Sequence, residues 1–229
     1  MSASWWASLN CAQRPSKPLL VVVMADDPEA VSALPVGFGD DWLAATQAGG
    51  TATARLAAHL DVPVHHATTP EIPAGHDLIL LADAGRGLTT AAAVFACTHF
   101  QAEPQLVTGF GSGITDVQWM AKVADVRARS RQDSDVPPPI GLLARILENA
   151  ADADLPVLLD GAVSVAAAAA AERLPRAYLP TVGAEPSQQF FLDRFEVAAG
   201  TGAGIGPGLG LGALSGLAIL QLGLLAADV

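Results

Sequence analysis

Acidic side chains and glycine turns follow several apolar runs of this sequence, and together they could bind and activate an anionic ligand. The acidic residues are Asp26, Asp27, Asp83 and Asp160. Each of them ends a run typical of a buried strand, and the carboxyl ends of parallel strands meet at one edge of a sheet. Neighbouring carboxylates can carry acid–base chemistry, although solvated caps at a strand end are the plainer interpretation of Asp26 and Asp27. We expect all four residues at that edge.

The glycine turn in "DAGRGLTT" (83–90) predicts a cradle for a phosphate or an anionic sugar. Gly85 and Gly87 let the backbone approach a ligand closely, and the amides at the start of the following helix favour an anion. Thr89 and Thr90 would serve as helix caps or as ligand hydroxyls. The alternative is a tight strand-to-helix turn with a threonine N-cap and no ligand.

A second glycine turn, "GFGSG" (109–113), contains Gly111, Ser112 and Gly113. It follows the run "PQLVT", which we interpret as a strand, so we expect this turn at the same edge of the sheet. Two such turns on one edge support ligand binding more strongly than either turn alone.

Apolar runs alternate with segments of helical periodicity along the chain. Predicted strands, some with the turn that follows them, lie at 18–26, 62–67, 76–85, 104–113, 155–163 and 176–182. Helical patterns of about 10 to 15 residues separate most of them, and this alternation implies right-handed crossovers. The predicted fold class is therefore α/β, a doubly wound, Rossmann-like parallel sheet with helices on both faces.

The predicted domain organisation is a single α/β domain over residues 18–229, preceded by an N-terminal extension over residues 1–17. No charged side chain occurs in residues 197–227, which raises the alternative of a membrane-associated protein. Glycines break the first half of this segment, and its apolar remainder is only about 15 residues long, too short for most membrane spans. We therefore predict a buried apolar helix over residues 213–227.

Composition excludes some classes of partner. With 23 acidic and 12 basic residues the formal net charge is −11, which argues against nucleic acid because phosphate backbones are bound by Lys and Arg. The two cysteines, Cys11 and Cys97, fit neither a disulfide framework nor a zinc site, and the N-terminus lacks the pattern of a secretory signal. These features indicate a cytoplasmic protein, and no residue set predicts a metal or a cofactor.

Five motifs occur in an order that is typical of one enzyme family. "ADAGRGLTTAAAV" (82–94) aligns without gaps with that family's "GEMGIGNTTAAAA", and "GFGSGIT" (109–115) aligns with its "GRGTGID". "PVLLDGAVSVAAAAAA" (156–171) is similar to "PVLLDGF" with an Ala-rich helix, "GAEP" (183–186) to "SAEP", and "AGGTATARLA" (48–57) to an "AGG" before a helix. The chain resembles the nicotinate-nucleotide:dimethylbenzimidazole phosphoribosyltransferases.

The resemblance covers about residues 18–229 and implies a reaction. Phosphoribose would pass from nicotinate mononucleotide to dimethylbenzimidazole, with release of nicotinate, in synthesis of the lower ligand of cobalamin. The benzimidazole must lose its N–H proton as its nitrogen attacks the anomeric carbon, so a general base is valuable. The resemblance also implies no cofactor and a homodimer, for which the apolar C-terminal helix with Trp5 and Trp6 would supply surface.

The resemblance assigns roles to individual residues. By position Asp83 replaces a family glutamate. Asp160 and Gly161 are the "DG" of the "PVLLDG" motif. Glu185 aligns with the glutamate of "AEP", so Asp83 and Glu185 are the candidate catalytic residues. Lys122 follows the second glycine turn at the family's spacing, and it is a candidate partner of the substrate phosphate.

One departure from the family removes its catalytic base. The family's base stands in "LGEGTGA", which aligns with "PGLGLGA" (207–213), so the glutamate becomes Leu209, followed by Gly210. A leucine cannot accept a proton, and loss of a general base typically costs about 10²- to 10⁴-fold in rate. In addition, the arginine of the family's "GRG" is Phe110 here, and this chain has no counterpart of the family's N-terminal "KPPGSLG" region.

Two functions from different classes remain open under this resemblance. The first is an active phosphoribosyltransferase, a pentosyltransferase whose base has moved to Glu185 or Asp83 or that uses another acceptor. The second is a catalytically silent homologue that binds a nucleotide or an azole, or that serves as a regulatory partner of a full-length enzyme. Substitution of either carboxylate would abolish turnover in the first case and affect only binding in the second.

Overall fold

The computed structural model describes residues 15–132, 134–195, 197–200 and 208–227. Trp5, Trp6 and Cys11 lie outside these ranges, so their predicted roles stay predictions. The predicted division of the chain into an extension and a domain at residue 17 also stays a prediction.

Six parallel strands form one sheet in the described part of the chain. Their bounds are Pro18–Met24 (β1), Val64–Ala67 (β2), Leu78–Ala84 (β3), Val157–Leu159 (β4), Ala177–Leu179 (β5) and Ala198–Ala199 (β6). The strand order is β2-β1-β3-β4-β5-β6, so β1 pairs with β2 on one side and with β3 on the other. Because helices cover both of its faces, β1 is apolar along its whole length, as expected for a buried parallel strand.

The helices of the described residues fall between and after these strands. Their bounds are Phe38–Gln47 (α1), Ala52–His59 (α2), Leu88–Phe100 (α3), Pro104–Val107 (α4), Asp116–Gln132 (α5), Pro138–Asp152 (α6), Gly161–Ala170 (α7), Pro186–Leu192 (α8) and Leu211–Ala227 (α9). Local sequence explains several starts, because α4, α6 and α8 begin with proline in the first turn, where its missing N–H costs nothing. The hydroxyl of Thr51 caps α2 by accepting a hydrogen bond from the amide of Ala54.

Alternate residues of β1, β3, β4 and β5 enter two separate hydrophobic cores. Leu19 and Val21 of β1 pack in one core with apolar residues of α3, α6, α7 and α8. Leu20 and Val22 point to the other face and pack with residues of α1, α2 and α9. This division follows from the two-residue period of a strand. The predicted doubly wound α/β sheet with helices on both faces is therefore confirmed.

Two elements differ from the sequence-based expectation. Residues 104–107 form the short helix α4, and the prediction of a strand there is wrong. Pro104 opens this helix after an extended residue, and the hydroxyl of Thr108 donates to the carbonyl of Pro104 at 2.7 Å. The edge strand β6 was not predicted, because a strand of two residues has no periodicity to detect.

The C-terminal helix α9 begins at Leu211, two residues before the predicted start at residue 213. Within the described ranges, no helix combines the length and the hydrophobicity needed to cross a membrane.

Candidate functional site

A cavity of about 250 Å³ opens at the carboxyl edge of the sheet, between the segment after β1 and the turn after β3. The strand order changes direction here, and such switch points are where α/β sheets bind ligands. The polar side chains of the cavity are those of Ser32, Asp83, Thr89, Ser112, Lys122 and Glu185. The larger apolar side chains are those of Val31, Leu34, Phe38, Leu88, Phe110 and Leu209.

Asp83, near the end of β3, contributes a buried carboxyl group to the cavity. The residue is 6% exposed, and its Oδ1 has no hydrogen-bond partner among the described residues. Burial raises the pKa of Asp83 from 3.8 to about 7, because water no longer stabilises the charged form. A carboxyl group with this pKa exchanges protons near neutral pH, which suits a general base.

Asp160, directly after β4, is fully buried at 0% exposure and does not line the cavity. Burial raises the pKa of Asp160 well above its usual range, and the charge of Asp83 raises it further. The nearby amides of Gly212, Gly208 and Gly210 oppose this shift. The Gly212 amide donates to Oδ2 at 3.3 Å, whereas Oδ1 has no partner in the described structure. Asp160 therefore holds the first turn of α9.

Leu209 lines the cavity at the position that the family alignment gives to the catalytic glutamate. Gly208, Leu209 and Gly210 have positive φ angles of 86°, 61° and 80°, and a left-handed backbone costs a leucine about 1–2 kcal/mol. Two hydrogen bonds hold the loop in this conformation. The Leu209 amide donates to the carbonyl of Asp83 at 3.0 Å, and the Thr53 hydroxyl donates to the carbonyl of Leu209 at 2.6 Å. The loop backbone is thus fixed to Asp83, while the side chain is apolar.

A buried lysine and a buried glutamate connect α3, the second glycine turn and α8. Lys122 is 2% exposed, and its Nζ donates to Thr89 Oγ1 at 2.8 Å and to the carbonyl of Gly109 at 3.0 Å. Burial lowers the pKa of Lys122, and the charge of Glu185 opposes this shift. Glu185 Oε1 accepts a hydrogen bond from the Gly111 amide at 2.6 Å, whereas Oε2 has no partner in the described structure. The cluster thus brings a buried lysine and a buried glutamate to the cavity.

The second glycine turn forms one rim of the cavity. Phe110 is 48% exposed and stacks on Trp119 of α5, with ring centroids 6.1 Å apart. Ser112 lines the cavity, but Gly113 does not. Phe110 therefore gives this rim an exposed aromatic surface.

The first glycine turn joins β3 to α3 without a side-chain cap. Gly87 is the N-cap, with a φ of 82°, so the predicted threonine N-cap is wrong. Thr89 lies inside the first turn of the helix, and Thr90 is buried away from the cavity. Gly85 has a φ of 145°, and a β-carbon there would overlap the carbonyl group of Ala25. This glycine therefore lets the turn pack against the end of β1.

Gly85→Ala is expected to unfold the protein at a much lower temperature. A β-carbon at this position would lie 2.7 Å from the carbonyl carbon of Ala25, so we expect a loss of about 4 kcal/mol or more. For a chain of this size that loss lowers Tm by about 10 °C. Gly75→Ala is the control, because its φ is also positive, at 92°, but nothing lies within 4 Å of the added carbon. Equal reductions of Tm in thermal melts of both variants would contradict this account.

Most of the residues predicted for the site meet at the cavity. Those that line it are Asp83, Gly85, Gly87, Thr89, Gly111, Ser112, Lys122, Glu185 and Leu209. The predicted residues that do not line it are Thr90, Gly113, Asp160, Gly161 and Gly210. In the described part of the chain, no group of three or more His, Cys, Asp or Glu residues is arranged to hold a metal ion.

The segment after β1 contributes residues that sequence reasoning missed. Val31, Leu34 and Phe38 form an apolar wall of the cavity. The sequence feature that could have identified them is the presence of apolar residues within a proline-containing loop. Asp26 and Asp27, in contrast, lie outside the cavity. The Asp26 carboxylate accepts hydrogen bonds from backbone amides, and Asp27 forms an ion pair with Arg129 of α5.

Comparisons with known proteins agree with this geometry. The family model DBI_PRT, for phosphoribosyltransferases, matches residues 64–228. The nicotinate-nucleotide–dimethylbenzimidazole phosphoribosyltransferase of Mycobacterium tuberculosis is 44% identical over 116 residues, which are 45% of this chain and 32% of that protein. Its counterpart from Mycobacterium leprae is also 44% identical over 116 residues, with 33% of that protein covered. The matched region thus spans about a third of the length of these relatives.

A solved structure shows the same fold. The crystal structure of CobT from Thermus thermophilus superposes with a TM-score of 0.80 and 20% sequence identity, covering 96% of this chain and 87% of the other. Because the family model spans more than half of the sequence, the chain belongs to the DBI_PRT family of phosphoribosyltransferases.

Proposed function

We propose that this protein transfers phosphoribose from nicotinate mononucleotide to a benzimidazole-type base in the synthesis of the lower ligand of cobalamin. The observation that carries the proposal is the unpaired, buried oxygen of Asp83 in a cavity that also contains a buried lysine. Buried polar atoms are almost always hydrogen-bonded, so an unpaired one in a cavity indicates a group that a ligand completes. The relatives described above carry this activity in their names.

The donor end of the cavity has the chemistry that a phosphate needs. Gly87, Leu88 and Thr89 line the cavity at the N-terminus of α3, where free amides and the helix dipole attract an anion. The ammonium group of Lys122 lies beside Thr89 and adds a full positive charge. We infer that the 5′-phosphate of the nucleotide binds here.

The acceptor end is apolar and suits a flat heteroaromatic ring. Val31 and Leu34 come from the segment after β1, Phe38 from the start of α1, and Leu209 from the loop before α9. Burial of such a ring against these side chains is favourable in proportion to the apolar area removed from water. A benzimidazole fits these surroundings better than a sugar or an amino acid does.

Asp83 is the residue that we assign as general base. The azole nitrogen attacks the anomeric carbon, the bond from that carbon to the pyridinium nitrogen breaks, and nicotinate leaves without needing a proton. The azole N–H proton passes to the Asp83 carboxylate. Glu185, the other candidate, already binds the Gly111 amide through Oε1, so we assign it to hold the second glycine turn. Lys122 stabilises the phosphate throughout.

Leu209 has a different role in this proposal from the glutamate of the family. Its backbone is bonded to the carbonyl of Asp83, and its side chain helps to exclude water from the cavity that contains the carboxyl group. Exclusion of water raises the pKa of a carboxyl group. Leucine at position 209 therefore favours Asp83 of β3 as the general base, with a pKa near neutrality, over a base in the loop.

We also propose that the protein acts in the cytoplasm and as a homodimer. The composition and the biosynthetic role of its relatives support the first statement, and the resemblance to the family supports the second. Size-exclusion chromatography with light scattering measures the second directly.

A product assay tests the proposed function. Purified protein is incubated with nicotinate mononucleotide and dimethylbenzimidazole, and the nucleotide product is separated by chromatography. We expect the wild type to form product and Leu209→Glu to be no faster, because a second carboxylate beside Asp83 makes ionisation of both unfavourable. Leu106→Glu is the matched control, since Leu106 is 69% exposed on α4 and does not line the cavity. A silent wild type with an active Leu209→Glu would show that the site has lost its base.

A further inference from the structure

One segment covers the acceptor side of the cavity. Residues 25–37 connect β1 to α1, and we call them the strap. Val31, Ser32 and Leu34 of the strap line the cavity directly. Loops of this kind, without regular hydrogen bonding of their own, are mobile unless specific contacts hold them. The contacts of the strap therefore decide whether the wall is formed before a ligand arrives.

A single arginine makes most of these contacts. Arg86, between the two glycines of the first turn, directs its guanidinium group at the carbonyls of the strap. Its Nε donates to Asp27 at 3.1 Å, and one terminal nitrogen donates to Ser32 at 3.3 Å and also to Leu34. The other terminal nitrogen donates to Ala30. Four carbonyls of one loop thus share one cation.

The backbone of the first turn adds to this anchor. The Arg86 amide donates to Asp26 Oδ1 at 2.6 Å. A β-carbon on Gly87 would lie 2.8 Å from the β-carbons of both Ala30 and Asp27, so the turn and the strap are in close contact. The strap is therefore seated on the turn that begins α3.

The second glycine turn holds the strap from the other side. The hydroxyl of Ser112 lies 3.1 Å from that of Ser32, and it accepts a hydrogen bond from the Ala33 amide at 3.0 Å. The strap therefore bridges the two glycine turns, and the cavity lies beneath this bridge.

Arginine is suited to this task because its planar group carries five donors and stays charged at every relevant pH.

We propose that Arg86 is a positioning residue that holds the strap closed over the cavity and thereby sets the affinity for the acceptor base. The kinetic part of this inference rests on the proposed phosphoribosyl transfer. Without Arg86 the acceptor wall would open, and the acceptor would have to order it on binding. The donor side would change little, because Lys122 and Thr89 are held by contacts outside the strap.

Hydrogen exchange measured by mass spectrometry tests the structural part without any substrate. We expect Arg86→Gln to accelerate exchange of the amides in residues 27–37 by about tenfold or more, with the core strands unchanged. Arg173→Gln is the matched control, since this arginine is 64% exposed and pairs with Asp152 far from the cavity. Unchanged exchange in the strap of Arg86→Gln would overturn the proposal.

Steady-state kinetics tests the consequence for the acceptor. Arg86→Gln should raise KM for dimethylbenzimidazole about tenfold and leave KM for nicotinate mononucleotide within about twofold. Arg86→Lys should recover part of the loss, and Ser112→Ala should act in the same direction as Arg86→Gln, because it releases the contacts of the strap with the second glycine turn. Equal increases of both KM values, or no increase for the acceptor, would overturn the positioning role.

The proposed function and this inference fail in distinguishable ways. A wild type that forms no product contradicts the proposed transfer. Exchange in the strap, together with equilibrium binding of dimethylbenzimidazole to the wild type and to Arg86→Gln, then decides the role of Arg86. Equal dissociation constants for the two proteins would reject it.

Discussion

Asp83→Asn is expected to lower kcat for phosphoribosyl transfer by about 10²- to 10⁴-fold, the usual effect of removing a general base. Asparagine keeps the size and shape of the side chain but cannot accept the azole proton. Binding of nicotinate mononucleotide should change little, because Lys122 and the first turn of α3 are intact. Rates come from the chromatographic product assay, and donor affinity comes from calorimetry.

The pH dependence of the wild type provides an independent check of the same base. Only the ionised carboxylate can accept a proton, so kcat/KM should rise with pH and level off above the pKa of Asp83, which burial raises to about 7. Asp83→Glu keeps a carboxylate and should retain more activity than Asp83→Asn. A reduction of less than about fivefold in Asp83→Asn, or a flat pH profile of the wild type, would mean that another group takes the proton.

Asp83→Asn is also expected to make the protein more stable at neutral and higher pH. The folded-state pKa of Asp83 is raised from 3.8 to about 7, so folding favours the protonated form. The stabilising contribution is complete below pH 3.8, declines as pH rises, and is lost above about pH 7. The full difference amounts to about 4 kcal/mol in the free energy of unfolding. Asparagine does not titrate and removes this penalty.

Urea unfolding at two pH values measures this effect. Between about pH 5 and about pH 8, the free energy of unfolding of the wild type should fall by about 3 kcal/mol relative to Asp83→Asn. Because the charge of Asp83 also raises the pKa of Asp160, the variant relieves both buried carboxyl groups. Asp61→Asn is the control, because Asp61 is exposed and asparagine tolerates its positive φ of 55°. The same relative change in Asp61→Asn would contradict the assignment to Asp83.

Much of the fold could be predicted from the sequence, because buried parallel strands and covering helices leave strong periodic patterns. The run that became β1 is apolar throughout, and its alternate residues pack in two different cores. The helix α4 was mistaken for a strand because the four residues PQLV are too few to show either period. What decides between them is the proline at position 104 and the hydrogen bond from Thr108, which depend on the local backbone.

The site was predicted less completely than the fold. The order of the motifs predicted that Asp83, Lys122 and Glu185 belong to one site, although they are far apart along the chain. All three line the cavity. The strap was missed because its wall is made by a loop, and Arg86 was overlooked because its partners are backbone carbonyls. Carbonyl groups occur at every residue, so no sequence pattern identifies which of them a side chain will bind.

The place of β1 between β2 and β3 matters to anyone who would shorten this protein. The family model begins at residue 64, which is the first residue of β2, so a fragment cut at that boundary would lack β1 altogether. β2 would then lose the strand with which it pairs, and β3 would expose one side of its backbone. Unpaired strand edges recruit other chains and lead to aggregation. The match to the family model thus begins partway through the sheet. Residues 18–63 are needed because they contain β1, which covers the backbone edges of β2 and β3.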